Sequence, residues 1–264
     1  MGIKFWSGGR VHTRNKYIKN GGCNRKMEER IKISERVEQL IEGYEGEGNF
    51  VQQTLSFVRS VLQPESVGET RVRAKETKRY DMQYRYDHTL RVADIGGEIA
   101  RSEGLSEEAL VMACLLHDVG YPECRNFEEL GKHPAYGAEI ARRFLEKIGY
   151  DRAVSESICK AIRIHDCFPY EGEDATVFEK SVRDADDIDR ADAMRICVRA
   201  YHDAGECPAW ESIEPCRKRI EEMENQKARI CGTETAKRLW LENILLCENF
   251  YRKLLLQMER TKEL

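Results

Sequence analysis

Residues 113–120 constrain the fold of this 264-residue chain more than any other stretch. Their sequence, ACLLHDVG, is a run of small and apolar residues that ends in an adjacent His117–Asp118 pair. Leu110 and Cys114 precede His117 by seven and three residues, which is the spacing of one helix face. We therefore predict a buried helix that ends at this pair. A helix end favours a cation, and an imidazole beside a carboxylate supplies two metal ligands. A capping Asp with a packed His is the simpler alternative.

The composition narrows the class of protein. Charged residues make up 34% of the chain, which is typical of helical proteins with salt-bridged outer faces. Acidic and basic residues nearly balance at a net charge of −4, which argues against nucleic acid as the main partner. An apolar run of about 18 residues and a signal-peptide core are both absent from the sequence, so we expect a cytoplasmic protein that does not interact with membranes. Ten cysteines without a C-x-x-C pair fit a reducing compartment, and not a disulfide framework, a zinc ribbon or an iron–sulfur cluster.

Hydrophobic periodicity predicts an all-α fold, a multi-helix bundle with additional N- and C-terminal helices. We expect N-terminal helices within 27–79, a core over 80–204 and C-terminal helices packed on that core over 205–264. The last helix either shapes access to a site or forms the contact of a homodimer. The predicted helices cover residues 27–41, 50–62, 80–101, 106–118, 133–148, 151–165, 175–204, 213–230 and 234–258.

Residues 1–26 form a basic segment with seven Lys or Arg residues and no acid. The glycine pairs at 8–9 and 21–22 favour a flexible arm. Met27 opens a clean helical pattern, so this segment is either a loosely held arm or the product of translation that starts upstream of the natural initiation site. A basic arm that touches nucleotides or membranes is the alternative interpretation.

Polar residues recur on apolar helix faces between residues 80 and 204. For any one histidine, a hydrogen-bonded core residue is the common explanation. Several buried histidines and carboxylates together are costly unless a cation compensates them, and one metal site would satisfy them all. Asp186 shares a face with Val182 and is predicted to point inward, with Asp189 one turn on, whereas Asp184 is predicted to point away. The other candidates are His88, His117, Asp118, His133 and His165.

Three local motifs accompany these residues. Residues 86–92 read YDHTLRV, residues 115–120 read LLHDVG, and residues 184–189 read DADDID. In this order the motifs resemble those of the HD superfamily of metal-dependent phosphohydrolases, over about residues 80–204. The resemblance implies an all-helical HD-domain bundle in which His88, His117, Asp118 and Asp186 bind a divalent metal.

The resemblance also implies roles for the remaining candidates. His133 and His165 resemble the extra histidines of family branches that hold two metals, and Asp118, His133 and His165 are the expected catalytic residues. The cofactor is one or two divalent ions, with Mn, Fe, Co, Ni, Zn and Mg all open. The chain departs from the cyclic-dinucleotide branch, because a single His165–Asp166 pair stands where that branch has two histidines. That branch's Gly-Tyr-Pro is also missing from the corresponding loop.

These features predict hydrolysis of a phosphomonoester or phosphodiester, of a nucleotide-like small molecule. A di-iron oxygenase that uses the same ligands is the first alternative, and a non-catalytic nucleotide-sensing HD module is the second. His202 follows a predicted helix without an apolar partner and His12 lies in the basic arm, so both are expected outside the site. Phosphate binding needs cations near the ligand segments, and the candidates are Lys132, Arg163, Arg183 and Arg190.

Overall fold

The computed structural model describes residues 31–63, 82–167, 175–197 and 213–262. These ranges contain helices and no strand, so the all-α prediction is confirmed. None of the helices in these ranges combines the length and the apolarity needed to cross a membrane. The predictions for the basic arm at 1–26, for the loop at 169–174 after His165–Asp166 and for His202 concern residues outside the described part of the chain.

Within residues 82–167, short connections join successive helices. Two short 3₁₀ helices, Tyr121–Glu123 and Phe127–Lys132, replace the polar loop expected between the fourth and fifth α-helices, and residues 193–197 are helical as well. The longer helices are α1 Glu35–Glu42, α2 Phe50–Leu62, α3 Met82–Glu103, α4 Glu107–Leu116, α5 His133–Lys147, α6 Arg152–Ile164, α7 Val177–Arg190, α8 Ile213–Gln226 and α9 Glu234–Lys262.

Helix α4 lies at the centre of the molecule. It begins at the predicted cap Ser106, whose hydroxyl accepts a hydrogen bond from the Ala109 amide at 3.3 Å. The helix is apolar on nearly every side and packs against α2, α3, α6 and α7, as expected of a fully surrounded helix. Gly96 of α3 permits the close approach, because a Cβ there would lie 2.6 Å from Cys114 Sγ. This contact explains a glycine that destabilises an isolated helix.

The two N-terminal helices cover α5. Phe57 of α2 stacks on Phe144 of α5, with ring centroids 4.1 Å apart, and Tyr44 meets both rings edge-on. Ser34 caps α1, and its hydroxyl also donates to Glu123 at 2.7 Å. The start of α1 is thereby bonded to the segment that follows His117–Asp118.

The two largest differences from the predicted helix bounds are at the start of α1 and at the end of α7. Helix α1 begins at Glu35 and not at Met27, because Ser34 has extended backbone geometry and caps the helix. Helix α7 ends at Arg190 and does not continue to Ala204 as a single helix. Asn243 of α9 donates to the Ile188 carbonyl at 3.2 Å, so a partner distant in sequence binds a carbonyl at the end of α7.

Gly120 provides a test of how tightly this region is packed. A Cβ at this position would lie 2.2 Å from the carbonyl oxygen of His133 and 2.4 Å from the amide nitrogen of Gly137. We expect Gly120→Ala to lower the free energy of unfolding by about 2 kcal/mol or more, since backbone atoms cannot move aside cheaply. Urea unfolding followed by far-UV circular dichroism measures the change. Gly131→Ala is the matched control, because a Cβ there meets nothing within 4 Å, and equal losses for the two variants would contradict the prediction.

Candidate metal centre

Six predicted ligands meet in one buried cluster. They come from different elements, and each is at most 2% exposed. The residues that directly follow the central helix α4 lie near His88 of α3, His133 of α5, His165 after α6 and Asp186 of α7. The six are His88 in α3, His117 and Asp118 directly after α4, His133 at the start of α5, His165 directly after α6, and Asp186 in α7.

One group of ligands lies between α3, α4 and α7. His88 Nε2 is 3.2 Å from Asp186 Oδ1, and His117 Nε2 is 3.8 Å from the same oxygen. The three residues each offer one ligand atom, and these atoms all lie within 4.8 Å of one another. This spacing suits a single cation with mixed nitrogen and oxygen ligands.

A second group adjoins the first and shares His117 with it. It consists of His117, Asp118 and His165, again with ligand atoms within 4.8 Å of one another. Asp118 Oδ2 is 3.4 Å from His117 Nε2, and Asp118 Oδ1 is 3.7 Å from His165 Nε2. His133 completes this side, with its Nε2 3.3 Å from Asp118 Oδ1 and 3.2 Å from His165 Nε2.

Hydrogen bonds hold the imidazoles in place through the nitrogen away from the cluster. The Nδ1 atoms of His117, His133 and His165 lie 2.6–2.7 Å from backbone carbonyl oxygens. Since a carbonyl only accepts, each Nδ1 carries the proton and donates it, which leaves the Nε2 lone pair facing the cluster. His88 Nδ1 lies 2.6 Å from Asp189 Oδ2, an arrangement common for a metal-binding histidine.

The cluster fits a divalent cation. Within the described ranges, the buried Nε2 atoms of His88 and His117 have no hydrogen-bond partner. Buried polar atoms are rarely left in this state, so an absent group is the natural partner. Neutral imidazoles and carboxylates together match the borderline divalent metals, with Mg²⁺ less favoured by so many nitrogen ligands.

Two arginines shape the electrostatics. Burial raises the pKa of Asp118, but His117 and Arg85 outweigh it and hold the pKa well below its usual range. Burial likewise raises the pKa of Asp186, whereas Arg190, with Nε 3.0 Å from Asp186 Oδ1, and His88 bring it well below its usual range. Both carboxylates are therefore ionised and available as ligands at neutral pH.

The two outer histidines differ in basicity. Burial lowers the pKa of His133, and Asp118 only partly offsets this effect. Burial also lowers the pKa of His165, but Asp118 and Asp186 outweigh it and raise the pKa above its usual value. His133 is therefore the histidine more readily kept neutral in this cluster.

The cations predicted from sequence lie in different places. Arg190 contacts Asp186, at the cluster. Lys132 is exposed and lies 3.9 Å from Glu129, and Arg163 is exposed on α6. Arg183 is buried and donates to the Cys167 carbonyl at 2.7 Å, so it ties the segment after His165 to α7.

The prediction that Asp184 points away from the core was wrong. Asp184 is fully buried, and it accepts hydrogen bonds from the Gly232 amide at 2.7 Å and from Arg229 at 3.2 Å. The connection between α8 and α9 covers this face of α7. Helical periodicity within α7 cannot show that a distant segment packs there.

Two residues at the site, Arg85 and Tyr121, were not predicted from the sequence. Arg85 donates to Asp118 Oδ2 at 2.8 Å, and its guanidinium carbon lies 3.8 Å from the ring centroid of Tyr121. Tyr121 also stacks on the ring of His133, with ring centroids 4.1 Å apart. One signal was available for Arg85, since it precedes His88 by three residues and therefore shares a helix face with it.

The sequence matches the family described as HD domain over residues 85–194, which contain all six clustered side chains. Residues 85–194 are an HD domain. A solved structure described as a predicted HD superfamily hydrolase, from an uncultured Thermotogales bacterium, shares the fold with a TM-score of 0.52 and 22% identity. The alignment covers 78% of this chain and 91% of that one.

Curated relatives of this HD-domain protein are ribonucleases Y. The enzyme from Campylobacter curvus is 30% identical over 194 residues, which are 74% of this chain and 31% of that protein. The enzyme from Mycoplasma mycoides is 44% identical over 59 residues, which are 22% of this chain and 14% of that protein. The chain thus spans less than a third of the length of these relatives.

Proposed function

We propose that the protein is a metal-dependent phosphohydrolase that cleaves a phosphomonoester or phosphodiester of a nucleotide-like substrate. The observation that carries this proposal is the pair of adjacent ligand groups that share His117 and point imidazole Nε2 atoms into one buried cluster. Membership of the HD-domain family supports it.

The residues divide into ligands and proton carriers. His117 would bind one cation, either with His88 and Asp186 or with Asp118 and His165, because its single Nε2 lone pair takes one ion. A second cation would be held by the remaining ligands of the cluster. A divalent cation at such a site lowers the pKa of bound water towards neutrality and polarises a phosphoryl oxygen. His133, neutral at Nε2, is placed to accept a proton from the attacking water, and the Leu130 carbonyl fixes its orientation through Nδ1.

RNA is a second candidate substrate. The ribonuclease Y relatives favour it, because the similarity to the Campylobacter curvus enzyme extends over 74% of this chain. The net charge of −4 favours a small nucleotide instead, since binding to a polyanion is usually driven by a basic surface. A screen that contains both substrate classes decides between them.

The experiment is a hydrolysis screen with metal-loaded protein. Purified protein is loaded with Mn²⁺, Ni²⁺, Fe²⁺ or Mg²⁺ and incubated with nucleoside monophosphates, cyclic and dinucleotides, a short RNA and two nitrophenyl phosphate esters. We expect release of phosphate or of a nucleotide, abolished by a chelator and restored by added metal. Oxygen uptake with an iron-loaded sample, without phosphoester cleavage, would support the oxygenase instead, and tight nucleotide binding without turnover would support the sensing module.

A further inference from the structure

Arg85 lies at the edge of the ligand cluster and is held there from two sides. Its Nη1 donates to Asp118 Oδ2 at 2.8 Å, and its guanidinium packs over the ring of Tyr121. Tyr121 in turn stacks on His133, so the guanidinium is fixed by a ligand-cluster carboxylate and by an aromatic ring of the same site. The Arg85 side chain is 12% exposed, which is unusual for an arginine outside a functional or structural network.

The guanidinium has a donor that the protein does not use. Arg85 Nε is buried and has no hydrogen-bond partner in the part of the chain that the structure describes. An unpaired buried donor on a charged group is expensive, and stacking on Tyr121 does not satisfy it. An acceptor that the protein itself does not supply is therefore expected beside Arg85.

The charge of the loaded cluster indicates that this acceptor is an anion. The carboxylates of Asp118 and Asp186 are balanced by the guanidiniums of Arg85 and Arg190 when the imidazoles are neutral. Every divalent cation that binds adds two positive charges to a buried site. A phosphoryl group supplies the opposite charge, and its oxygens match the planar donor fork of an arginine.

We propose that Arg85 binds the phosphoryl oxygens of the substrate, next to the metal ligands. The inference rests on the proposed phosphohydrolase function and specifies a residue for it. Arg85 is better placed for this role than Lys132 or Arg163, because those two side chains are exposed and the ion pair of Lys132 is with Glu129, outside the cluster.

Binding of inorganic phosphate tests the proposal independently of turnover. Calorimetry measures phosphate binding to metal-loaded wild type, Arg85→Met and Arg85→Lys, with bound metal quantified in each sample. We expect phosphate affinity per loaded site to fall roughly 10- to 100-fold in Arg85→Met, as for loss of a charged hydrogen bond. Arg85→Lys retains the charge without the fork and is expected to lose about 10-fold. Arg85→Lys also tests the proposed phosphate contact if Arg85→Met does not fold.

Arg91→Met is the matched control, because Arg91 lies on the same helix and also binds a site aspartate. Its Nε is 2.5 Å from Asp189 Oδ1, and Asp189 orients His88. This variant should weaken metal binding but leave phosphate affinity per loaded site within about twofold of wild type. If Arg85→Met and Arg85→Lys behave in the same way as Arg91→Met, Arg85 only positions Asp118 and the proposal is overturned.

The outcome for Arg85 is separable from that for the proposed function. Arg85-dependent phosphate binding without hydrolysis of any ester would overturn the phosphohydrolase and leave Arg85 as an anion-binding residue. Hydrolysis by the wild type with unchanged kcat and KM in both Arg85 variants would overturn the role of Arg85 and leave the phosphohydrolase standing. If the protein is a phosphohydrolase and Arg85 binds the phosphoryl group, the Arg85 variants should show a higher KM as well as a lower kcat. The reason is that a phosphate contact acts in the ground state and in the transition state.

Discussion

Replacing His117 with alanine is expected to remove the cation whichever of the two overlapping ligand groups holds it, whereas His88→Ala and His165→Ala each impair one group. The reason is that His117 belongs to both groups, while His88 and His165 belong to one group each. We expect His117→Ala to lower kcat/KM on the order of 10³-fold or more, since a catalytic metal supplies several kcal/mol of transition-state stabilisation. The measurement is the metal content per chain after dialysis, by plasma mass spectrometry, alongside activity.

Two controls make the stoichiometry interpretable. His12→Ala removes a histidine that the sequence keeps apart from the ligand segments, and it should retain the wild-type metal content. The urea midpoint of each variant in a metal-free buffer shows whether the fold survives, because a metal bound to the native state raises apparent stability by mass action. A His117→Ala protein that is folded and binds as much metal as the wild type would refute the shared-ligand arrangement.

The ligand positions were predictable from sequence because they depend on short-range geometry. Helical spacing places Leu110, Cys114 and His117 on one face, and all three are buried. Val182 and Asp186 share a face of α7 by the same rule, and both are buried. Helical periodicity identifies the residues that point inward, and the resemblance to the HD superfamily predicts which of them lie close together.

Partners that come from other elements were not predictable. Arg85 binds Asp118 across a separation of 33 residues, and Asp184 binds Gly232 across 48. Periodicity within one helix gives the direction of a side chain but not the segment that packs against it. The burial of Asp184 and the end of α7 at Arg190 depend on α9 and on the connection before it, so the sequence analysis got both wrong.

Replacing Arg229 with methionine is expected to destabilise the protein by about 3 kcal/mol or more. Arg229 lies between two buried carboxylates, 3.2 Å from Asp184 Oδ1 and 2.8 Å from Asp187 Oδ2, and packs over the Trp240 ring at 4.5 Å. Burial lowers its pKa, but Asp187 and Asp184 outweigh burial and raise it. Removing Arg229 takes one cation from each of two buried carboxylates, and breaking a buried ion pair typically costs about 3–5 kcal/mol. Urea unfolding measures the loss.

Arg217→Met is the control for a surface arginine. Arg217 is 57% exposed and lies 3.0 Å from Glu259, so its removal should cost less than about 1 kcal/mol. An equal loss of unfolding free energy in both variants would show that the buried ion pairs of Arg229 stabilise the protein no more than a surface ion pair does.

The Arg229→Met variant also tests whether the C-terminal helices support the ligand cluster. Asp184 and Asp187 flank Asp186 on α7, and Arg229 lies beyond the region matched by the HD domain family. If the connection between α8 and α9 holds α7 in position, Arg229→Met should weaken metal binding by about 10-fold or more under conditions where the protein is still folded. Arg229→Lys, which keeps the charge, should recover part of the affinity. Unchanged metal affinity in a folded Arg229→Met protein would mean that α7 positions Asp186 without the C-terminal helices.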